Sequence, residues 1–425
     1  MTSEIHAIMK KMNCPRRVAV RKTTLKNGLR LIYEKRDASI ASFCIGLDAG
    51  ALREEDGFLF GTAHALEHML YKGTKSRSED DINRLSDEIF GFSNAMTNYP
   101  YVIYYGTTLG VNFEKGLDLY SDILLNPSLK EDGFSEEIKI ISEELREWAD
   151  DLTQLCEDKL FKNCFKSRRI KERIIGSQDT VAALDLDEIR RFYKKFYIPQ
   201  NSVISVVTSQ GFEETLRLVE KYFGAWGKGK ELCLSTLYEE NKAGTYIDNM
   251  CNLEGVKIEY CFTLHNLTPD EEKAISLFNF HFGGSVTSML YDEIRTKRGL
   301  VYEISSKVRK ENGIKLLTVN ASTARENVDK VTRIIDGIIY GIRNGKAYSP
   351  DIKQLKRAED MLKLRRELLL EKSIQLSKEL ATYELMYGSC SGVYSEFNGI
   401  RSREPEFIRI TAAKALRSRS LQIMR

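Results

Sequence analysis

Several things are missing from this chain, and each absence narrows what it can be. No apolar run approaches the roughly 18 residues of a membrane span. The opening residues, Met-Thr-Ser-Glu-Ile-His-Ala-Ile-Met-Lys-Lys-Met, lack the apolar centre of a secretory signal. Charge is nearly balanced, 64 basic against 61 acidic residues for a net +3, so there is no electrostatic case for a nucleic acid or an anionic membrane as partner. The longest basic cluster, Lys166 to Arg173, reads as a solvated loop or helix face. Eight cysteines (14, 44, 156, 164, 233, 251, 261 and 390) form no C-x-x-C pair and no regular spacing. They read as free thiols of a reducing compartment, and a cytoplasmic location is the expectation. Histidine is scarce too, five in 425 residues.

Two of those five stand one helical turn apart, in His64-Ala-Leu-Glu67-His68. On an α-helix, positions i and i+4 look the same way, and Glu67 flanks that face. Two imidazoles so placed make half of a zinc site, and a neighbouring carboxylate is positioned to take a proton from an attacking water. The order is H-x-x-E-H, with the glutamate directly before the second histidine.

The rest of the chain is ordinary globular protein, 42% hydrophobic and 29% charged. Its length suits two domains of about 200 residues each. A hairpin turning on Asn27-Gly28 and a strand from Ile40 to Leu47 precede the histidine helix, read as Thr62 to Tyr71. Ser78 with Asp81 caps a helix to Ile89, and strands Phe92 to Thr97 and Tyr101 to Thr108 flank Pro100. Helices Phe113 to Leu125 and Ser135 to Asp150 follow, then one from Asp185 to Tyr197 whose capping box Glu188 completes, strand Val203 to Thr208, and helix Leu216 to Phe223. After a polar, glycine-bearing stretch the order repeats. Strands Thr245 to Ile247 and Val256 to Leu264, a helix from Thr268 to His281, another opened by Gly283-Gly284-Ser285, strands Val301 to Val308 and Ile314 to Asn320, and helix Val328 to Arg343 lead to an almost wholly helical Pro350 to Met386. The predicted division is a tail over 1–20, a first domain over 21–223, a linker over 224–243 and a second, related domain over 244–425. The fold class is α+β, each domain a mostly antiparallel sheet with helices packed on one side.

A catalytic zinc needs a third protein ligand. The acidic helix offers Glu137 and Glu144, two turns apart, on a side shared with Ile140, Ile141 and Leu145, while Glu136, Glu143 and Glu147 face solvent. Carboxylates carried inward call for a cation; an acidic helix facing water is the alternative at this point.

With these residues in hand, the chain resembles the pitrilysin–insulinase family of inverzincin metallopeptidases. The likeness runs from Leu25-Lys-Asn-Gly-Leu-Arg through His68-Met-Leu-Tyr-Lys-Gly-Thr74 to Ile141-Ser-Glu-Glu144-Leu145. It implies His64, His68 and Glu144 as zinc ligands, Glu67 as general base, and Glu137 as a carboxylate supporting a ligand histidine. Ser93-Asn94-Ala95-Met96-Thr97 resembles the edge strand on which members lay an extended peptide. The family usually continues there with a glutamate-bearing stretch, where this chain has Asn98-Tyr99-Pro100. Arg295 and Tyr302, in Leu290-Tyr-Asp-Glu-Ile-Arg-Thr-Lys-Arg-Gly-Leu-Val-Tyr302, match by spacing a substrate-facing Arg…Tyr pair.

The resemblance implies a half-clamshell of two homologous domains and a zinc endopeptidase of short or unstructured peptides, with leader or signal-type peptides as one specialisation. It also implies a homodimer in which Arg295 and Tyr302 of one protomer face the zinc site of the other, or a heterodimer with an inactive paralogue. A peptide-binding partner subunit without activity is the competing reading, and a structural zinc protein is a weaker one. Because the chain stops at Leu421-Gln-Ile-Met-Arg425, the second domain is expected to lack or borrow an edge strand.

Overall fold

The computed structural model describes residues 20–230, 232, 237–250, 255–397 and 404–425. Nearly all of the expected tail lies outside these residues, as do His6, Cys14, Cys233 and Cys251. Two sheets organise the chain. The first contains β1 (Arg21–Thr24), β2 (Arg30–Lys35), β3 (Ile40–Leu47), β4 (Phe90–Thr97), β5 (Val102–Leu109) and β6 (Ser202–Thr208), in the order β1-β2-β6-β3-β5-β4. The second contains β7 (Gly244–Asp248), β8 (Val256–Thr263), β9 (Glu303–Glu311), β10 (Ile314–Thr323) and β11 (Ser420–Met424), in the order β7-β11-β8-β10-β9. Pairing is antiparallel except that β6 lies parallel to β2 and β11 parallel to β7. Strand for strand, β2-β6-β3-β5-β4 repeats as β7-β11-β8-β10-β9, so the two halves share one α+β topology.

The longer helices are α1 (Thr62–Tyr71), α2 (Glu79–Ile89), α3 (Phe113–Leu125), α4 (Phe134–Asp150), α5 (Leu152–Cys164), α6 (Leu186–Phe196) and α7 (Phe212–Phe223) in the first half. The second half has α8 (Pro269–Phe282), α9 (Val328–Arg343), α10 (Ile352–Leu370), α11 (Ser373–Tyr387) and α12 (Pro405–Ala415). Side chains alternate across a strand, and β3 shows both sides of its sheet in use. Phe43 and Ile45 join Leu66, Leu117, Tyr120 and Phe192 from the helices of their own half. Cys44 points the other way, with Ile103 and Val203, into a separate core. That is why β3 reads as a nearly continuous apolar run.

The second core is closed by exchange. Leu376, Leu380 and Ala381 of α11, from the second half, cover the outer face of the first sheet. Reciprocally, α5 of the first half packs on the second sheet. Its Leu160, Phe161 and Cys164 meet Cys261, Ile314 and Leu316, its Leu155 and Cys156 meet Met424, and Asn163 donates to Gln422 at 2.8 Å. Each half thus packs its own helices on one side of its sheet and takes one helix from the other half on the opposite side.

The structure corrects several sequence expectations. The last residues do not leave the second sheet short of a strand: β11 is internal, hydrogen-bonded to β7 and β8. Gly283 opens no regular helix; a turn leads instead to a wide-turned helical segment, Tyr291–Thr296. Glu188 does not complete a box with Asp185; its carboxylate accepts from the Leu59 N–H at 2.8 Å and pairs with Arg191. Ile140 is exposed rather than inward, although Ile141 and Leu145 are buried. The basic cluster is not wholly solvated either, since Arg169 is fully buried and paired with Glu54. No helix among the described residues is long and apolar enough to cross a membrane, and the five described cysteines, 44, 156, 164, 261 and 390, are free and buried.

Candidate metal centre

The histidine helix is started by a device with no local sequence signature. Gly61 takes the left-handed conformation before it, at φ 104°. The Glu54 carboxylate accepts from the N–H groups of Gly61 (3.1 Å) and Ala63 (2.9 Å), doing the work of a cap on the unpaired first turn. Arg169 in turn holds Glu54 at 2.8 Å. Ala65, Leu66, Met69 and Leu70 bury one face of α1, which leaves His64, Glu67 and His68 on the half-buried side toward α4 and β4.

There the two imidazoles meet Glu144. His64 Nε2 and His68 Nε2 stand 3.8 and 3.7 Å from the same oxygen, Glu144 Oε2. Those separations are too long for hydrogen bonds. They are close to the spacing of about 3.3 Å between two ligands on a tetrahedral ion with bonds of about 2.0–2.1 Å. One ligand atom from each of the three residues lies within 4.8 Å of the others, so the donor set of two imidazoles and a carboxylate fits a metal with open coordination. Burial, with His68 adding to it, pushes the His64 imidazole down to about 3, so it is neutral and able to donate a lone pair near neutral pH. Glu144 is 39% exposed, leaving the centre open on that side.

The other acidic residues fall into distinct places. Glu137 is buried, and its Oε2 lies 2.9 Å from His68 Nδ1. Its Oε1 meets Lys72 Nζ at 3.2 Å. Glu136, Glu143 and Glu147 are exposed. Glu67 receives a short hydrogen bond from the Thr97 hydroxyl. Burial raises its carboxyl above the ordinary range, opposed by Thr97 and His68, which suits a group that must accept a proton and give it back.

Strand β4 runs along the edge of the first sheet, paired on one side only, with β5. Asn94, Ala95, Met96 and Thr97 are paired with Tyr105, Tyr104, Ile103 and Val102. The other rim of β4 has no strand beside it, and the Ala95 N–H is taken by Asn94 Oδ1 at 2.9 Å. Beyond the strand, Asn98 donates to Glu311 of β9 at 3.2 Å and the Tyr99 hydroxyl to the Glu172 carbonyl at 2.7 Å, so the departing chain is tied to both halves.

Arg295 and Tyr302 are not brought to this centre. The Arg295 guanidinium lies over the Tyr291 ring, 5.0 Å from its centroid, and donates to that residue's hydroxyl at 2.8 Å. Tyr302 precedes β9 and is 68% exposed. His265 and His281 also lie elsewhere, against Tyr238 and Tyr348. Sequence reasoning missed Glu54, Arg169 and Lys72. Arg169 acts from far away in the chain and Glu54 from seven to nine positions before the groups it caps, outside any capping-box spacing; Lys72 sits at i+4 from His68, a spacing that is visible in the sequence.

Comparison with known proteins gives the family. Residues 30–178 match the family model for insulinase (peptidase family M16), and residues 183–359 match that for the peptidase M16 inactive domain. The chain belongs to the insulinase family. The inactive-domain match begins beyond His64, Glu67, His68 and Glu144, taking in α6, β6 and α7 of the first half and the second half as far as residue 359. Among curated relatives, an uncharacterized zinc protease of Streptomyces coelicolor is 29% identical over 405 residues, 93% of this chain and 87% of that protein. One from Bacillus subtilis is 25% identical over 389 residues, covering 90% and 92%. Among solved structures, a protease from Helicobacter pylori superposes with a TM-score of 0.85 at 19% identity, over 96% of this chain and 99% of that one. A peptidase M16 inactive domain from Pseudomonas fluorescens gives 0.84 at 17% identity, over 96% and 98%. Both support the insulinase-family fold seen here.

Proposed function

We propose that the chain is a zinc-dependent endopeptidase of short or unstructured peptides. The observation that carries this reading is the convergence of His64, His68 and Glu144, with Glu67 beside them and held by Thr97. His64, His68 and Glu144 hold the metal. When bound, zinc supplies Lewis acidity that polarises a peptide carbonyl and makes water a better nucleophile. Glu67 takes the proton from the attacking water and returns it to the leaving amine. Glu137 orients His68. The free rim of β4, at Asn94, Ala95, Met96 and Thr97, pairs with the backbone of an extended peptide, a mode that suits leader-type segments. The buried free thiols are in keeping with a reducing, cytoplasmic setting.

Arg295 and Tyr302 enter through a second copy of the chain. Within one chain they stand apart from the His–Glu group, so a homodimer that places them against the partner's centre completes the carbonyl-polarising machinery; a heterodimer with an inactive paralogue is the variant of this arrangement.

Turnover of a quenched fluorescent peptide library, with zinc content measured, tests the core of the proposal. Wild type is expected to hold about one zinc per chain, as a single three-ligand site requires, and to cleave; Glu67→Gln is expected to keep the zinc and lose turnover. Retained activity in Glu67→Gln overturns the assigned base. Zinc without turnover in the wild type gives the molecule to the non-catalytic partner reading. Mixing Glu67→Gln with Tyr302→Phe protomers is expected to restore activity, and no recovery despite subunit exchange overturns the shared site.

A further inference from the structure

The two candidate ligand histidines are held differently. His64 Nδ1 is buried without a hydrogen-bond partner. His68 Nδ1 lies against Glu137, and Glu137 is itself gripped. Lys72 Nζ lies 3.2 Å from Glu137 Oε1 and 2.7 Å from Glu79 Oε2. The result is a chain of contacts, Glu79–Lys72–Glu137–His68, that joins α2, the end of α1 and the first turn of α4.

Local structure makes room for it. Lys72 directly follows α1, four positions after His68, and its side chain is only 16% exposed. Gly133, in the left-handed conformation at φ 84°, caps the start of α4. A Cβ there would lie 2.9 Å from Lys72 Cε, so the glycine opens the passage through which the lysine stem reaches Glu137.

An ionised carboxylate can only accept hydrogen bonds, so the ring must donate from Nδ1. That tautomer leaves Nε2 with its lone pair, on the side of Glu144. Lys72 fixes one oxygen of Glu137 and thereby aims the other. We infer that Lys72 is a positioning residue for metal binding, setting the tautomer and orientation of His68 through Glu137. This rests on the reading of His64, His68 and Glu144 as a metal centre.

Charge alone argues the opposite sign, and that makes the idea testable. A lysine close to a cation site repels the cation, so if Lys72 acted only through its charge, removing it would tighten metal binding. If it acts by positioning, removing it weakens binding, by about 10–100-fold for a lost outer partner of a ligand.

The experiment titrates zinc into metal-free wild type, Lys72→Met, Lys72→Arg and Glu79→Gln, in competition with a chromophoric chelator. Imidazole ¹⁵N spectra of the same metal-free proteins report the His68 tautomer. Expected are a 10–100-fold weaker affinity and a mixed His68 tautomer for Lys72→Met, near-wild-type behaviour for Lys72→Arg, and a smaller loss for Glu79→Gln. Unchanged or tighter zinc binding in Lys72→Met overturns the proposal, as does an unaltered His68 tautomer. Should Lys72→Met fail to fold, Glu79→Gln carries the same test, and an unchanged affinity and tautomer there overturns the proposal. A wild type that binds no zinc sinks the metal-centre reading instead, and the tautomer spectra then still judge Lys72 by themselves.

Discussion

Thr97, the last residue of the free edge strand, donates its hydroxyl to the carboxylate of Glu67. The strand proposed to take the peptide and the residue proposed to move the proton are therefore in direct contact. Replacing Thr97 by Val keeps the shape and removes the donor, so Glu67 loses a fixed partner while the backbone of β4 stays. Turnover is expected to fall by about 10–100-fold, a part of the 10²–10⁴ that general base catalysis contributes, with KM little changed. Thr97→Ser restores most of it. A rise in KM at constant kcat would show that Thr97 serves binding rather than the base.

Metal removal is expected to lower thermal stability through the same three residues. A ligand that binds only the folded state, at a hundredfold excess over its Kd, adds about 2.7 kcal/mol. Calorimetry with and without a chelator should therefore show a lower Tm for the metal-free protein. Glu144→Gln and His68→Ala should abolish the difference, whereas Glu67→Gln should preserve it. A chelator effect that survives in Glu144→Gln would place the metal elsewhere.

Much of this centre was legible in the sequence because it is local. The helix bounds Thr62 to Tyr71, Phe113 to Leu125 and Val328 to Arg343 were all recovered from spacing and punctuation, and His64 and Glu137 lie on the faces that helical periodicity gave them. What could not be read was long-range. Helix α5 does carry a cap, with Asp151 accepting from Thr153 and Gln154, and its buried Leu155, Cys156, Leu160 and Phe161 recur at helical spacing. Nothing in those residues says that the sheet they cover begins some eighty positions later. Strand β11 is five residues long, too short for a periodic signal, and gains its hydrogen bonds from β7 and β8. Glu54 reaches the start of α1 from a short 3-10 helix, Ala51–Asp56, too brief to show a periodic pattern, and its partner Arg169 lies over a hundred positions on.

Glu259 of β8 gives a pH-dependent prediction away from the metal centre. It is buried, its Oε2 has no partner, and burial holds its carboxyl well above the ordinary range. Glu157 and Asp158 of α5 push it further up, while Arg309 of β9 and its strand neighbour Lys257 oppose them. A carboxyl raised in the folded state binds its proton more tightly there than in the unfolded chain. Its contribution is therefore favourable at low pH and is lost as pH rises through the folded value. Glu259→Gln keeps the shape and cannot ionise. Its urea midpoint should match wild type near pH 4 and exceed it increasingly toward pH 8, each unit of displacement being worth about 1.4 kcal/mol. A pH-independent difference would mean that Glu259 is not held protonated by the fold.

The helix exchange makes a prediction at Gly46. This residue of β3 lies where α11 crosses the sheet, and a Cβ would come 2.7 Å from Leu385 Cδ1 and 3.7 Å from the Ala381 Cβ. Leu385 has a movable end, so Gly46→Ala should be tolerated. The branched side chain of Gly46→Val has to push α11 off the sheet, which costs about 1–3 kcal/mol for an overpacked core. Its urea midpoint should fall, and amide exchange should quicken in residues 373–387 more than elsewhere. The metal centre lies on the opposite side of the same sheet, against α1 and α4, so zinc affinity should stay within a few-fold of wild type. Uniformly faster exchange with α11 unexceptional would mean that the exchanged helix is not the element Gly46 accommodates. Loss of zinc binding together with α11 would instead make the exchange part of the centre's own support, since the sheet would then transmit the displacement from one of its faces to the other.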